Sequence, residues 1–464
     1  MSDASSERYR ARSLWLDGLA EPLTPRPALP GDVECDVAIV GAGFTGLWAA
    51  YFLALQQPDL RVVVLEREIA GFGPSGRNGG WASAGLAGSA ARYARLHGEA
   101  AVARGERAMA DAVGEIGDVI ASEGIDCGWL HSGTLMVATS APQVARLHEG
   151  VARRRGYGIG EDDLRVLEPS ELEARVRVAG ARAAWFTPHC ARLDPARLAR
   201  GLALACERRG VTIYERTAAE EIGPGRVRCA GGTVRAASVL RATEAFTVQQ
   251  PGERRRFMPL YSLMVATEPL PPAVWDAIGW DGRETISDLR HLFFYAQRTP
   301  DDRIAIGGRG APYRLGSPID EAYERNDGVR ERLVRTIADR FPAAASAAIT
   351  HHWGGPLGVP RDWCCSVHYD RTSGFGWAGG YTGHGVVTSN VLGRTLADLV
   401  LQRDSGLVTL PWVGHQSPRW EPEPLRFLAS RAIVGTLGSA DRYEDAKDRP
   451  ARRTRLVRPF MQVR

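Results

Sequence analysis

The sequence predicts an α/β fold, and three observations carry that expectation. The run VAIVGAGFTGLWAAYFL, Val37 to Leu53, reads as a buried strand that turns at three glycines into a helix, and LRVVVLE supplies a second strand ending at Glu66. Similar strand–helix elements return around residues 195–250 and 350–405. The segments between them differ, with strands suited to an antiparallel sheet, such as LYSLMVATEPL and LFFYAQRTPDDRIAIGG. At 464 residues the chain is also too long for one ordinary core. The expectation is a Rossmann-like domain interleaved with a mainly antiparallel β-sheet domain whose own architecture is α+β.

In chain order, residues 1–32 read as an irregular lead-in because of the prolines in EPLTPRPALPGD. The strand–turn–helix–strand unit follows. Gly88 to Gly124 is alanine-rich and reads as helical, GTLMVATS as a strand and APQVARLHEGVARRRGYG as a helix. DPARLARGLALACERRG is a helix with Pro195 in its first turn and Gly210 at its stop, and the strand of GVTIYERTAAEEI follows. GTVRAASVLRATEAFT reads as a hairpin arm and strand, and DEAYERNDGVRERLVRTIADRFP as a charged amphipathic helix. GFGWAGGYTGHGVVTSNVLGRTLADLVLQR reads as strand, glycine turn and helix. The domain reading assigns 33–90, 190–250 and 346–405 to the Rossmann-like domain, 91–189 and 251–345 to the substrate domain, and 406–464 to a tail. In the tail, PLRFLASRAIVGTLGSADRYED reads as a helix packed on the body or on a partner subunit, because its charges are of both signs, unlike a basic membrane-surface helix.

Composition narrows the classes. The chain is 44% apolar and 24% charged, ordinary for a soluble globular protein. A formal net charge of +4 is too weak to argue for nucleic acid. Seven scattered cysteines, none in a C-x-x-C pair, argue against a zinc site, and no metal is expected. Their odd number and wide spacing suit reduced thiols in a cytoplasmic enzyme. The N-terminus MSDASSERYRARSLW lacks the apolar core of a secretory signal, and no apolar run is long enough to span a bilayer, so no membrane partner is expected. The sequence leaves the oligomeric state open.

The three glycines have a mechanical reading. Gly41 permits a tight turn, Gly43 lets the backbone approach a pyrophosphate, and Gly46 lets helix pack closely on strand. Phe44 and Thr45 then open a helix whose free N–H groups and partial positive charge favour phosphate. Glu66, about 20 residues further on, is positioned to accept a hydrogen bond from a ribose 2′-OH and would repel a 2′-phosphate, which disfavours NADP and leaves NAD or FAD. Arg67 adjoins it.

A second glycine run, GFGPSGRNGG from Gly71 to Gly80, follows almost at once. An NAD-only dehydrogenase has no obvious use for it. A flavin protein does, because a long cofactor needs a second backbone surface. Gly73, Gly79 and Gly80 allow close approach, and Ser75, Arg77 and Asn78 add donors for phosphate, ribitol or ring oxygens. A third run, GGYTGHG from Gly379 to Gly385, opens directly into a helix. Its N-terminus, with Gly380, Thr382, Gly383, Gly385 and Val386, would stabilise the negative charge that a reduced flavin carries near N1 and the C2 carbonyl. His384 either contacts the ring, lines the substrate side, or is a solvated loop histidine.

These stretches together resemble the FAD-binding regions of the D-amino-acid oxidase superfamily, and within it the gamma-glutamylputrescine oxidoreductase and glycine/sarcosine oxidase branch. The S-G-R-N-G-G run is the most telling part. The resemblance continues in GVTIYERTAAEEI, whose strand passes the adenine in such proteins, with Ala219 making backbone contacts. It continues in VLRATEAFT, similar to the family's A-T-N-A-Y-T segment, with Ala242 and Thr243 near the cofactor and Glu244 in place of the usual asparagine or glycine. WAGGYTGHGVVTSNVLGRTLADLV is like the family's C-terminal flavin loop. The resemblance implies an FAD-dependent oxidoreductase that converts the C–N bond of a small-molecule amine or amino acid to an imine, with imine hydrolysis and reoxidation by oxygen or another acceptor. Some members link flavin through histidine or cysteine. Here GRNGGWASAG has Trp81 and no histidine, and Cys364 and Cys365 fall elsewhere than a linking cysteine is expected, so the FAD is expected to be non-covalent. The lysine that sarcosine-type oxidases carry soon after G-H-G is absent, since Val386 and Val387 follow, and Lys447 in the tail is the only lysine of the chain. A dehydrogenase using another acceptor therefore stays open.

Amine oxidation at a flavin calls for an aromatic, water-excluding site. Trp81, Tyr295 and His384 are the substrate-side candidates, and Tyr295 leads because its strand resembles a family segment bordering the substrate. Tyr261, His291 and Arg361 are candidates for substrate binding, and Phe294 and Trp353 are further aromatics in range. An amino-acid substrate also needs an arginine for its carboxylate, and neither Arg361 nor Arg77 is singled out by pattern. Two other readings remain: another flavoenzyme, such as a hydroxylase or an NAD(P)H-linked reductase, which would usually show a second G-x-G-x-x-G, and a non-catalytic flavin-binding protein.

Overall fold

The computed structural model describes residues 2–310 and 313–457. The chain begins with α1 (Ser2–Arg10) and α2 (Leu14–Asp17), then runs through β1 (Val33–Val40), α3 (Phe44–Gln56) and β2 (Val62–Leu65). A short β3 (Trp81–Ser83) leads to α4 (Ala90–His97) and α5 (Glu99–Ser122). Next come β4 (Thr134–Ala138), α6 (Ala141–Gly156), β5 (Arg165–Leu167), α7 (Pro169–Arg175), β6 (Ala183–Thr187) and β7 (Cys190–Arg192). They are followed by α8 (Pro195–Arg208), β8 (Thr212–Tyr214), β9 (Ala219–Gly223), β10 (Arg226–Cys229) and β11 (Gly232–Arg241). Then come β12 (Met258–Thr267), α9 (Pro272–Ile278), β13 (Thr285–Asp288), β14 (Phe294–Arg298), β15 (Ile304–Gly308), α10 (Asp327–Arg340) and β16 (Ile349–Val359). The chain closes with β17 (Ser366–Asp370), β18 (Phe375–Gly379), α11 (Gly385–Val400), α12 (Leu425–Lys447) and α13 (Thr454–Val457).

The strands form two large sheets. In the first, β18, β11, β1, β2 and β8 are parallel neighbours in that order, with β17 antiparallel at the edge and the β9–β10 hairpin paired to β11. Val62 to Leu65 of β2 are all buried, as a parallel strand covered on both faces requires. Helix α3 is buried from Phe44 through Ala54 and so has no solvent face; it packs against α11 and α8. The second sheet runs β16-β12-β15-β14-β13-β4-β6-β5 and is antiparallel except where β13 meets β4. The expected α/β architecture with a mainly antiparallel second sheet is what the chain adopts. One strand sits differently from its sequence grouping. β16, read with the first domain, pairs with β12 of the second sheet from Met258↔Val359 to Thr267↔Ile349. Its glycine-rich apolar sequence suits either sheet, and only long-range pairing chooses between them.

The lead-in also departs from expectation, being helical rather than irregular over Ser2–Arg10 and Leu14–Asp17. Its prolines begin only at Pro22, beyond both helices, so they break nothing there. The Ser13 hydroxyl accepts from Leu16 N at 3.1 Å and caps α2. Trp15, Leu16 and Leu23 are buried in a cluster with Phe72 and Trp353, and Trp15 Nε1 donates to Asn78 O at 2.8 Å. Arg12 reaches Glu324 at 2.9 Å, and Glu324 pairs at 2.7 Å with the fully buried Arg77. The N-terminal helices thus brace the second glycine run. The tail helix α12 packs on the body, and no helix among the described residues is long and apolar enough to cross a membrane.

Removing one partner of a buried ion pair strands the other charge, which costs about 3–5 kcal/mol. Glu324→Ala is therefore expected to lower the unfolding free energy by that order in urea titrations, whereas Glu321→Ala, on the exposed side of the same network, is expected to cost less than about 1 kcal/mol.

Candidate functional site

Two helix N-termini meet at the centre of the molecule. Gly41 has φ 107°, and a Cβ there would lie 2.6 Å from Ala242 O; a Cβ on Gly46 would lie 1.9 Å from Gly41 O. Only glycine permits this turn and this approach of helix to strand. The open side of Gly43 faces Ser75, whose Oγ accepts from Phe44 N at 2.9 Å. Helix α3 has no side-chain cap, and neither has α11, which starts after His384. Thr45 Oγ1 and Tyr381 OH, 2.6 Å apart, tie the two helix starts together. The loop into α11 has positive φ at Gly380, Thr382 and Gly383.

A continuous cavity of about 1610 Å³ runs from these helix ends to α12. A single drug-sized ligand occupies a pocket of roughly 300–1,000 Å³, so this one has room for a long cofactor and a substrate together. The residues expected at the cofactor border it, apart from Gly46, Gly80 and Gly380. Those three lie behind the lining: Gly46 against Gly41, Gly80 against Gln297 and Leu193 O, and Gly380 against Pro360. Trp81, Tyr261, His291, Tyr295, Arg361 and His384 all border the cavity.

The residues present fit FAD. The two uncapped helix starts present backbone N–H groups to the cavity, which suits a pyrophosphate and an electron-rich ring edge. Glu66 is half-buried just beyond β2, and its carboxylate accepts from Ala42 N at 2.8 Å and Glu68 N at 2.9 Å. That leaves lone pairs for a ribose hydroxyl, while burial pushes its pKa up. Trp81 Nε1 and Arg77 Nη2 are buried without a hydrogen-bond partner among the described residues. Other expected donors are already engaged. Arg77 holds Glu324 and Gly354 O, and Asn78 closes its own turn through Pro74 O, Ser75 O and Gly80 N.

On the substrate side, Tyr295 and Trp81 meet edge to face at 6.1 Å. The Tyr295 hydroxyl lies 2.8 Å from Ser262 Oγ, and burial pushes its pKa up to about 12, so it stays protonated. Its ring fills the space left by Gly79 and Gly307, where added Cβ atoms would lie 2.8 and 2.3 Å from it. The His384 ring covers Gly85 in the same way. Three other candidates are committed elsewhere. Arg361 is paired with Glu421 at 2.9 Å, His291 with Glu444 at 3.3 Å, and the Tyr261 hydroxyl with the backbone of Asp320. Phe294 and Trp353 are core residues away from the cavity lining, and Trp353 Nε1 donates to Arg77 O.

Two residues that sequence reasoning did not place stand out. Arg309 lies just beyond β15 and borders the cavity, its guanidinium over the rings of Phe293 (4.6 Å) and Trp363 (5.6 Å). It donates to Thr382 O at 3.3 Å and has no carboxylate within ion-pairing distance among the described residues. Burial lowers its pKa to about 10, which leaves it charged at neutral pH. Among 57 arginines nothing local marked it. The other is Glu244, at φ 41°. Its buried carboxylate accepts from Gly358 N at 2.7 Å, Gly380 N at 3.2 Å and Tyr381 N at 3.4 Å, so it ties β16 to the loop before α11. The sequence marked Glu244 as a departure from the family pattern but carried no hint of its partners.

The family model described as "FAD dependent oxidoreductase" (DAO) matches residues 36–399. The chain is 28% identical over 391 residues to a probable oxidoreductase, OrdL, of Haemophilus influenzae, covering 82% of this chain and 86% of that one. It is also 28% identical over 416 residues to the gamma-glutamylputrescine oxidoreductase of Escherichia coli, covering 86% and 90%. Its fold is similar to the crystal structure of glycine oxidase from Geobacillus kaustophilus, with a TM-score of 0.67 at 22% identity over 83% of this chain and all of that one.

Glu244 makes a signed prediction. Burial raises its pKa from 4.5 to about 7. Between those values the folded protein binds more protons at this site than the unfolded chain, so its contribution to stability falls as pH rises through the window. Glu244→Gln removes that dependence. The melting temperature of the variant minus that of the parent is expected to climb from about pH 4.5 to 7, with a slope of at most about 1.4 kcal/mol per pH unit in free energy. A difference that stays level across the window would show that Glu244 does not titrate there.

Proposed function

Because the chain belongs to the FAD-dependent oxidoreductase (DAO) family and its relatives include a gamma-glutamylputrescine oxidoreductase and a glycine oxidase, we propose that it oxidises the C–N bond of a carboxylate-bearing amine to an imine. The observation that carries the carboxylate is Arg309, a charged guanidinium facing the cavity with no acidic partner among the described residues, whereas Arg77 and Arg361 each hold a glutamate. A planar guanidinium held near two rings is pre-organised to take a carboxylate through two parallel hydrogen bonds.

The cofactor is FAD. The α3 N-terminus with Gly41 and Gly43 would hold its pyrophosphate, Glu66 a ribose, and the α11 N-terminus the electron-rich edge of its ring. When bound, FAD supplies the two-electron acceptor for the C–H beside the amine nitrogen, after which water hydrolyses the imine and oxygen or another acceptor takes the electrons. Arg309 anchors the substrate carboxylate and so fixes which C–H is presented. Tyr295 and Trp81 form a wall that excludes water from the reacting carbon, and the protonated Tyr295 hydroxyl, held by Ser262, offers a hydrogen bond without adding charge. The α11 N-terminus favours negative charge as it develops near that end. All seven cysteines are buried, and none borders the cavity, which supports FAD held without a covalent bond.

Two measurements test this reading. Arg309→Met should raise the half-saturating concentration of an amino-acid substrate about 10- to 100-fold, the worth of charge-assisted hydrogen bonds, while the corresponding decarboxylated amine changes little. Equal effects on both would remove Arg309 from carboxylate recognition. Precipitation of the holoprotein in acid should leave the yellow chromophore in the supernatant; colour kept in the pellet would mean a covalent link.

A further inference from the structure

Helix α12 lies beyond residue 399, where the family match ends, yet one of its faces lines the same cavity. Ser430, Ile433, Val434, Leu437 and Glu444 recur at helical spacing and make up that face. The helix is fixed at both ends. Near its start Glu423 takes the Tyr313 hydroxyl (2.5 Å), Gly316 N (3.2 Å) and Arg426 (2.9 Å). Near its end Asp441 accepts from His291 N and Leu292 N, both at 2.9 Å, and Glu444 pairs with Arg146 at 2.8 Å. The turn held by Asp441 is the one that carries Phe293, which lies under the Arg309 guanidinium. Leu292 links the two regions, since Cβ atoms on Gly310 and on Gly438 of α12 would lie 3.3 and 3.4 Å from its Cδ1. Between the two anchors Ile433 and Val434 are only half-buried, and they border the cavity together with Leu289, Leu292 and Phe293.

We propose that α12 is the wall that selects the substrate's side chain: Ile433 and Val434 make an apolar lane leading away from Arg309, suited to a carboxylate-bearing amine with an extended apolar side chain rather than to the smallest amino acids. This rests on the reading of Arg309 as the carboxylate anchor. An apolar lane wetted in the absence of ligand gains from every methylene that displaces water from it. The segment lies outside residues 36–399, the stretch that the family model matches.

The test uses the FAD-loaded protein and straight-chain carboxylates, acetate, butyrate and hexanoate, read by their perturbation of the flavin absorption band without turnover. Affinity is expected to rise about fourfold per methylene. Ile433→Gln and Val434→Gln are each expected to flatten the series, so that hexanoate loses most of its advantage over acetate. Both positions are half-buried on a helix and glutamine is a good helix former, so at least one variant should melt as the parent does. Carboxylates that bind with no dependence on chain length overturn the α12 lane and leave the Arg309 reading standing. A series that rises equally in the parent and in both variants overturns it too, because the chain then lies elsewhere. No perturbation by any carboxylate overturns both.

Discussion

The close packing of α3 on α11 is the constraint on which the rest of the molecule depends. A Cβ on Gly393 would come within 2.8 Å of Trp48 Cβ and 3.0 Å of Ala49 N, so the two helices touch almost backbone to backbone. The Thr45–Tyr381 hydrogen bond then sets their first turns side by side over one cavity. Each uncapped start leaves backbone N–H groups in search of acceptors. In a water-filled cavity these groups are satisfied cheaply. When a phosphate or an electron-rich ring edge replaces water they become the strongest anion-favouring feature of the site. Cofactor binding and fold stability are therefore linked through the same donors.

The second glycine run joins this centre to the substrate sheet. Its backbone is held from behind by Trp15 Nε1 on Asn78 O and by the Arg77–Glu324 pair, and from the side by Gln297 Nε2 on Gly79 O at 2.7 Å. Its front is covered by Tyr295, whose ring occupies the volume that a side chain at Gly79 would need. The second glycine run and Tyr295 are thus parts of one packed unit. A change at Tyr295 or Gln297 would be felt by the cofactor loop, because a close-packed interior transmits displacement instead of absorbing it. Glu244 does the same on the opposite side, where one buried carboxylate gathers backbone N–H groups from β16 and from the loop before α11.

Charge is distributed with a similar economy. Four arginines near the centre carry acidic partners: Arg77 and Arg12 share Glu324, Arg146 has Glu444, and Arg361 has Glu421. These pairs are internal struts that make no claim on a ligand. Arg309 differs in having two rings and the Thr382 carbonyl around it and no acidic partner among the described residues. This contrast, more than the presence of arginine in the cavity lining, gives the residue its meaning.

Local pattern was enough for the dinucleotide unit. A buried strand, three glycines at fixed spacing, an apolar helix and a terminal acid each follow from short-range sterics and hydrogen bonding, so Gly41, Gly43, Gly46 and Glu66 were legible, as were the glycine runs from Gly71 and Gly379. The mainly antiparallel character of the second sheet was also legible, from the strand-like runs LYSLMVATEPL and LFFYAQRTPDDRIAIGG. Four things were not. The lead-in was misjudged because prolines that follow a helix say nothing about residues before it. The pairing of β16 with β12, about 90 residues away, is not written in its own sequence. Arg361 and His291 read as ligands for substrate because a sequence does not show that Glu421 and Glu444 come back to hold them. Arg309 went unseen for the converse reason. Whether a charge is spent inside the fold or left facing a cavity depends on groups far away in the chain, and only the folded structure brings them, or fails to bring them, within a few ångströms.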